Sequence, residues 1–157
     1  VILLDNGSTN MEVARMMSPD LKATVFTNSL QIAQILCEHP SIQLFFLGGK
    51  VFKDAQNTYG AEVIEMLQKI RADICILGVC GIHHNIGVTI QDWGENQVKR
   101  KMVDISQKVV ALVTASKVNT AESYVVCTLD ELDVILTDDC IDEALLKDYQ
   151  KHDIVIQ

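Results

Sequence analysis

Short apolar runs alternate along this chain with stretches in which apolar residues recur every three or four positions. The runs are rich in β-branched and aromatic residues, which is typical of buried strands. The alternation predicts an α/β fold, a three-layer Rossmann-like domain whose mostly parallel sheet carries helices on both faces. The predicted strands are Val1 to Leu4, Ala23 to Phe26, Gln43 to Leu47, Ile74 to Leu77, Val109 to Val113, Val134 to Leu136 and Ile154 to Ile156. The predicted helices are Asn10 to Met17, Ser29 to Glu38, Ala61 to Ile70, Glu95 to Ser106 and Asp142 to Lys151.

Helix starts and irregular segments punctuate this pattern. Small polar residues predict the helix caps, namely Ser8 with Thr9, Asn28 with Ser29, and Asp139 with Asp142. Two segments break the alternation, Gly48 to Gly60 with a short extra strand at Val51-Phe52, and Gly78 to Trp93 with an extended piece at Val88-Thr89-Ile90. Because open α/β sheets bind ligands at connections that follow their strands, a site is expected near these segments.

The segment Asp5-Asn6-Gly7-Ser8-Thr9 joins the first predicted strand to the first predicted helix. A short loop of small residues at a helix start presents unpaired backbone N–H groups, an arrangement that binds anions and most often phosphate. Gly7 allows backbone angles closed to other residues, and the two hydroxyl groups offer further donors. An ordinary strand-to-helix turn with a capping hydroxyl is the alternative interpretation.

Composition narrows the classes of function. The 157 residues are 48% hydrophobic and 22% charged, which fits one globular domain with a substantial core. No apolar run approaches the roughly 20 residues that cross a bilayer, so we expect a cytoplasmic protein without membrane contact. The formal charge is −8, and basic clusters with interleaved aromatics are absent from the sequence. Direct nucleic-acid binding by this chain is therefore not expected, because duplex affinity depends on neutralising phosphates.

The cysteines and histidines predict neither a metal site nor a cofactor. The five cysteines are an odd number and show no metal-type spacing, so they are interpreted as reduced and mostly buried. Cys80, between two glycines, has a reactive thiol as its alternative. His83 and His84 lack a third ligand at regular spacing. Trp93 is expected to pack, with a pocket wall or a subunit contact as alternatives.

Five short signals stand in a fixed order along the chain. They are Asp5-Asn6-Gly7-Ser8-Thr9, Thr27-Asn28-Ser29, Leu47-Gly48-Gly49, Gly78-x-x-Gly81-Ile82 followed by Gly87, and Glu95-x-x-x-Lys99-Arg100-x-Met102. Further matches are Tyr59-Gly60, Ala115-Ser116-Lys117 and Thr137-Asp138. In this order the chain resembles, over essentially its whole length, the C-terminal effector-sensing domain of the DeoR family of bacterial transcriptional repressors. That family shares its fold with ribose-5-phosphate isomerase, glucosamine-6-phosphate deaminase and CoA transferases.

The resemblance implies a function for residues 1–157 as an effector-binding domain. In that family the sensor binds a phosphorylated sugar or related metabolite such as a polyol phosphate, and binding changes the affinity of an attached domain for operator DNA. That attached N-terminal domain, a winged helix-turn-helix, is not present in this sequence, which begins inside a predicted strand. We therefore expect a fragment or excised domain, DNA contact only through the missing part, and a homo-oligomer, either a dimer or a tetramer.

The resemblance also implies site residues. Gly7, Ser8 and Thr9 become the phosphate cradle, and Asp5 shapes the loop or meets a sugar hydroxyl. Lys99 is expected to contact the ligand, and Glu95, four residues earlier on the same helix face, is an open case that can also form an ion pair with it. The remaining candidate ligand-binding residues, each with a purely structural alternative, are Thr27, Asn28, Ser29, Gly48, Gly49, Gly81 and Lys117.

An enzyme is the main alternative function, since sugar-phosphate isomerases and deaminases share the fold. The isomerases carry paired acidic residues in the loop that matches Gly78 to Ile82, and here that loop contains no carboxylate and has Cys80 before its second glycine. Asp92, Glu95 or Asp138 would have to supply a base. The sequence therefore predicts a binding module, and a ligand-free oligomerisation module is a third hypothesis.

Overall fold

The computed structural model describes residues 1–138, 147–152 and 154–156. Its strands are β1 (Ile2–Leu4), β2 (Ala23–Thr27), β3 (Ile42–Phe46), β4 (Lys50–Phe52), β5 (Asn57–Tyr59), β6 (Ile74–Gly78), β7 (Gly81–His83), β8 (Gly87–Ile90), β9 (Val109–Val113), β10 (Tyr124–Cys127), β11 (Val134–Thr137) and β12 (Val155–Ile156). Its helices are α1 (Ser8–Met16), α2 (Leu30–Leu36), α3 (Ala61–Leu67) and α4 (Trp93–Asp104), and residues 147–149 are also helical. The start of the last predicted helix, its caps Asp139 and Asp142, and Cys140 lie outside the described residues.

Seven parallel strands form the main sheet in the order β12-β11-β9-β6-β1-β2-β3. All seven were predicted, to within one residue at each end. The chain begins in the middle, at β1, adds β2 and β3 on one side, and then crosses to β6 and adds the remaining strands on the other. The direction of winding therefore reverses between β1 and β6, which is the place where open α/β sheets form a crevice.

Two hydrophobic cores lie on opposite faces of this sheet. Leu4 and Val25 point to the face covered by α1 and α2, where Ala14, Ile32 and Leu36 complete the smaller core. The neighbouring Leu3 points the other way, into a larger core that includes residues of α3 and α4. Because successive side chains of a strand alternate between faces, both faces of β1 are buried, as the unbroken apolar run at the start of the sequence predicts.

Two small antiparallel sheets account for the segments that break the alternation. Strands β4 and β5 form a hairpin, and β10, β8 and β7 form a three-stranded sheet. The predicted short strand at Val51-Phe52 and the extended piece at residues 88–90 are thereby confirmed. Strands β5, β7 and β10 were not predicted, because runs of three or four residues carry too little pattern. Within the described part of the chain, no helix is long and apolar enough to cross a membrane.

The start of α1 differs from the sequence prediction. Ser8 and Thr9 were expected to cap this helix, and that expectation is wrong because both already lie inside its first turn. The capping position belongs to Gly7, whose φ of 145° favours glycine and whose lack of a side chain leaves the helix start without a side-chain cap. By contrast, Ser29 caps α2 as predicted, with its Oγ accepting a hydrogen bond from the Ile32 N–H at 3.4 Å. The uncapped end of α1 keeps its N–H groups available for another partner.

Candidate functional site

A cavity of about 160 Å³ opens at the carboxyl ends of β1 and β6, where the winding direction of the sheet reverses. Its walls come from four segments that are distant in sequence. They are residues 6–10 after β1, residues 78–80 at the end of β6, Glu95 and Lys99 of α4, and Lys117 in the turn after β9, with Ala55, Ile90 and Leu112 between them. The cavity is smaller than the roughly 300–1,000 Å³ of sites for drug-sized ligands, and this favours a small metabolite.

The start of α1 forms one wall of the cavity. The first helical hydrogen bond of α1 runs from the Met11 N–H to the Gly7 carbonyl oxygen at 3.0 Å. The N–H groups of Ser8, Thr9 and Asn10 precede it and have no acceptor inside the helix. They lie at the positive end of the helix dipole, and residues 7–10 all line the cavity. This wall is suited to an anion.

Asp5 and Lys99 form a buried ion pair beneath the cavity, joining the end of β1 to α4. Asp5 Oδ2 also accepts a hydrogen bond from the Gly78 N–H at 2.8 Å, and Lys99 Nζ donates to the Gly78 carbonyl oxygen at 3.0 Å. Burial lowers the pKa of Lys99, but the charge and hydrogen bond of the Asp5 carboxylate, together with the nearby Glu95 and Cys80, raise it by more. Lys99 is therefore charged, and its ion pair is with Asp5 rather than with Glu95, which the sequence offered as the partner.

Glu95 presents the carboxylate of the cavity wall. Burial raises the pKa of Glu95. The hydrogen bond that Glu95 Oε1 accepts from the Asn57 amide lowers that pKa, but by less. Its backbone N–H is held by the side chain of Asp92, the residue that caps α4, at 2.9 Å. Asp92, which the enzyme alternative named as a possible base, thus has a structural role. Lys117, which also lines the cavity, donates from Nζ to the Val79 carbonyl oxygen at 2.7 Å.

Cys80 is the exposed thiol of the cavity. Cys80 is exposed as a residue, but partial burial of its sulfur raises the thiol pKa, and the nearby Lys99 and Lys117 only partly oppose that shift. Because the thiolate is the reactive form, this environment argues against the reactive-thiol alternative. Among the four described cysteines, Cys37 is also exposed, whereas Cys75 and Cys127 are buried. Burial raises the pKa of Cys127 to about 12. The prediction of mostly buried cysteines therefore holds for only two of these four.

The turn Thr27-Asn28-Ser29 begins with the last residue of β2 and lies outside the cavity wall, and Asn28 forms hydrogen bonds to the β4–β5 hairpin. The Thr58 N–H donates to the Asn28 carbonyl oxygen at 2.8 Å, and the Asn28 side-chain amide donates to the Thr58 carbonyl oxygen at 3.0 Å. The turn therefore anchors the hairpin that brings Ala55 and Asn57 to the site. A direct ligand contact by these three residues stays a prediction, as it does for Gly48, Gly49 and Gly81, which also lie outside the cavity wall.

The sequence analysis did not single out Asn10 or Asn57 as residues of the site, and it named Gly78 only as part of a motif. Asn10, buried one position after the cradle, donates from Nδ2 to the Asp5 carbonyl oxygen at 2.8 Å and to the Ile76 carbonyl oxygen at 3.1 Å. Gly78 links Asp5 and Lys99 through its backbone, and Asn57 holds Glu95. The only sequence signal for Asn57 is its place in the polar part of the irregular segment after β3.

Two further sequence candidates lie away from the cavity. The His83 and His84 rings stack on each other with their centroids 4.4 Å apart. Across the described residues, no cluster of three histidine, cysteine or acidic side chains is arranged to hold a metal ion. Trp93 is 56% exposed and contacts the Tyr124 ring at the surface, so it does not form a cavity wall.

Comparison with known families finds one match that covers most of the chain. The DeoR C-terminal sensor domain matches residues 1–139. Similar proteins include the transcriptional repressor GlcR of Bacillus subtilis, 34% identical over 137 residues, which are 87% of this chain and 52% of GlcR. A putative aga operon transcriptional repressor of Escherichia coli O157:H7 is 27% identical over 96% of this chain and 56% of its own length. The regulator GolR of Listeria innocua is 28% identical over 95% of this chain and 59% of its own length.

The chain spans about half the length of the curated relatives it matches. Among solved structures, eIF2B beta from Chaetomium thermophilum superposes with a TM-score of 0.52 and 13% sequence identity, over 96% of this chain and 48% of that protein. At this identity the likeness concerns the fold alone. It agrees with the mostly parallel sheet and helices described above.

Proposed function

Because the chain belongs to the family of DeoR C-terminal sensor domains, we propose that it binds a small phosphorylated sugar or polyol in the cavity between β1 and β6. Its relatives are named as transcriptional repressors and regulators, which supports a role in transcription rather than catalysis. Ligand binding would then alter the affinity of an attached DNA-binding domain for its operator.

The uncapped start of α1 at the cavity wall is the observation that carries this proposal. Three backbone N–H groups and the positive end of the helix dipole meet there, which suits a phosphate group. Lys117 adds a cationic side chain to the cavity lining, and Glu95 adds a hydrogen-bond acceptor. A ligand with an anionic end and several hydroxyl groups can bind the N–H groups at the start of α1 and also donate a hydrogen bond to Glu95.

Regulation requires that the ligand bind two states of the protein unequally. Helix α4 is suited to transmit such a difference, because Glu95 faces the cavity while Arg100, further along the helix, forms ion pairs with Asp104 and Glu131. We propose that the gene joins this sensor to a winged helix-turn-helix domain and that the whole protein is a homo-oligomer. The reading frame upstream of Val1 and the mass of the full-length protein in solution check these two points.

Replacing Ser8 with proline tests the anion cradle directly. Proline fits the first position of a helix but has no N–H, so Ser8→Pro removes one donor while the helix can still form. Inorganic phosphate should raise the melting temperature of the wild type, because a ligand that binds the folded state stabilises it. In Ser8→Pro its affinity, measured by calorimetry, should fall about ten- to hundredfold, the equivalent of one hydrogen bond to a charged group.

Two control variants isolate the backbone contribution in that experiment. Ser8→Ala removes only the hydroxyl and keeps the N–H, so it should weaken phosphate binding less than Ser8→Pro. Ala61→Pro places proline at the first position of α3, away from the cavity, and should leave phosphate binding unchanged. Phosphate affinity that is equal in Ser8→Pro and the wild type would contradict the cradle.

The enzyme alternative is checked on the same protein. Incubation with pentose and hexose phosphates, followed by product analysis, should give no turnover if the chain is a binding module. Turnover that Glu95→Gln abolishes would instead favour an isomerase or deaminase, with the carboxylate of the cavity wall as its base.

A further inference from the structure

Glu95 is the one carboxylate among the described residues that line the cavity, and its side chain is held from one side only. The Asn57 amide donates to Oε1, and the hydrogen bonds described for this side chain leave Oε2 without a protein donor. Asn57 is 1% exposed and Glu95 is 9% exposed, so their hydrogen bond is shielded from water. A fixed carboxylate with one oxygen left over is an acceptor for a ligand donor group.

The position of Asn57 is itself fixed by a buried polar scaffold. Ser29 pairs with Asn57 through a backbone bridge. The neighbouring Thr58 hydroxyl donates to the carbonyl oxygens of Leu47 and Asn28, the latter at 3.3 Å. The β4–β5 hairpin therefore cannot slide without breaking buried hydrogen bonds, which are costly to leave unmade. Asn57 is held rigidly against α4, as a positioning group must be.

Some of the charges around Glu95 favour its ionised form and others disfavour it. Lys99 favours its ionised form, whereas Asp5 and Asp92 disfavour it. Because Lys99 is already paired with Asp5, the amide of Asn57 is the neutral group that directly stabilises the Glu95 carboxylate. Hydrogen bonding to the charged form of an acid favours that form.

We propose that Asn57 is a positioning residue that holds Glu95 ionised and oriented, so that Glu95 selects ligands carrying a hydroxyl group beyond their phosphate. This inference rests on the proposed function. It adds that the Glu95 carboxylate makes the site bind a polyhydroxylated phosphate more tightly than phosphate alone. Asn57 acts through Glu95 and does not itself need to touch the ligand.

Selectivity between probes tests this proposal. D-glucitol 6-phosphate and D-ribose 5-phosphate serve as polyhydroxylated probes, and inorganic phosphate serves as the bare anion. We expect the wild type to bind at least one sugar probe more tightly than phosphate. Asn57→Leu and Glu95→Gln should each reduce that preference, taken as the ratio of sugar-probe affinity to phosphate affinity, about ten- to hundredfold, the equivalent of losing one hydrogen bond to a charged group. Asn85→Leu, an exposed asparagine outside the cavity, is the matched control and should keep the preference.

Each outcome of the probe experiment has a defined meaning. If the wild type binds phosphate but prefers neither sugar probe, or if Asn57→Leu retains the preference, the role of Asn57 is overturned while the proposed function stands. If the wild type does not bind phosphate, the proposed function fails. Melting temperatures of the variants separate lost selectivity from lost folding.

The pKa of Glu95, measured on the protein without ligand, gives a second test of this proposal. Carbon-detected NMR titration should place the pKa of Glu95 above that of an ordinary glutamate, because burial raises it. Asn57→Leu should raise that pKa further, since it removes the hydrogen bond that lowers it. An unchanged pKa in this variant would overturn the proposal. In the wild type, binding of the sugar probe should weaken relative to Glu95→Gln as the pH falls through the Glu95 pKa, and comparing the two proteins with the same probe cancels the titration of its phosphate group.

Discussion

Replacing Lys99 with methionine is expected to lower the free energy of unfolding by about 3–5 kcal/mol. The substitution leaves the Asp5 carboxylate buried without its cation, and that side chain is only 1% exposed. One oxygen of Asp5 already lacks a hydrogen-bond partner among the described residues, so in this variant the Gly78 N–H is the one donor described for the buried carboxylate. Natural domains have only about 5–15 kcal/mol of stability, so urea unfolding at neutral pH should reveal a loss of this size clearly.

Arg100 provides a matched control for that loss, because it is the next residue of α4 and is also cationic. Its ion pairs with Asp104 and Glu131 lie at the surface, with 35% of the Arg100 side chain exposed. Arg100→Met should therefore cost only about 1 kcal/mol. Adding Asp5→Asn to Lys99→Met removes the stranded charge and should recover part of the stability. A Lys99→Met variant no less stable than Arg100→Met would show that the buried ion pair does not hold β1 to α4.

The fold is largely predictable from sequence because its strands are buried on both faces. Continuous apolar runs such as the one in β9 are a strong local signal, and all seven strands of the main sheet were recovered. The partner of Lys99 was not recoverable, since Asp5 lies 94 positions away and only the strand order brings the two together. The helix periodicity correctly placed Glu95 next to Lys99 on the surface of α4. It could not show that Asp5, at the end of β1, is the ion-pair partner of Lys99.

The candidate site shows the same division between local and tertiary information. The loop after β1 reads as an anion site from its own residues, and it does line the cavity together with Glu95, Lys99 and Lys117. The loop after β2 has an equally suggestive sequence, but the β4–β5 hairpin covers it and takes its hydrogen bonds. Only the tertiary structure determines which of two similar turns remains open, so periodicity and motifs could not separate them.

Gly78→Ala is expected to damage both the fold and the site, because the new methyl group has no room. A Cβ at this position would lie far inside van der Waals contact with the Asn6 carbonyl oxygen and 3.1 Å from Asp5 Oδ2. Both neighbours belong to the segment that leads into α1, so relief of the clash must move the anion cradle or break the Gly78 hydrogen bonds to Asp5 and Lys99. Overpacking in a rigid site costs about 1–3 kcal/mol and occasionally more.

Gly48→Ala separates this clash from the general effect of replacing a glycine. Nothing lies within 4 Å of a Cβ built at Gly48, so alanine there should leave stability nearly unchanged. Urea unfolding and phosphate calorimetry on both variants give the comparison, with stability and phosphate affinity falling together for Gly78→Ala alone. If Gly78→Ala lost stability but bound phosphate as the wild type does, the segment leading into α1 would not be the part of the cavity that holds the anion. The anion would then have to be held elsewhere in the cavity, with Lys117 as the remaining cationic side chain to test.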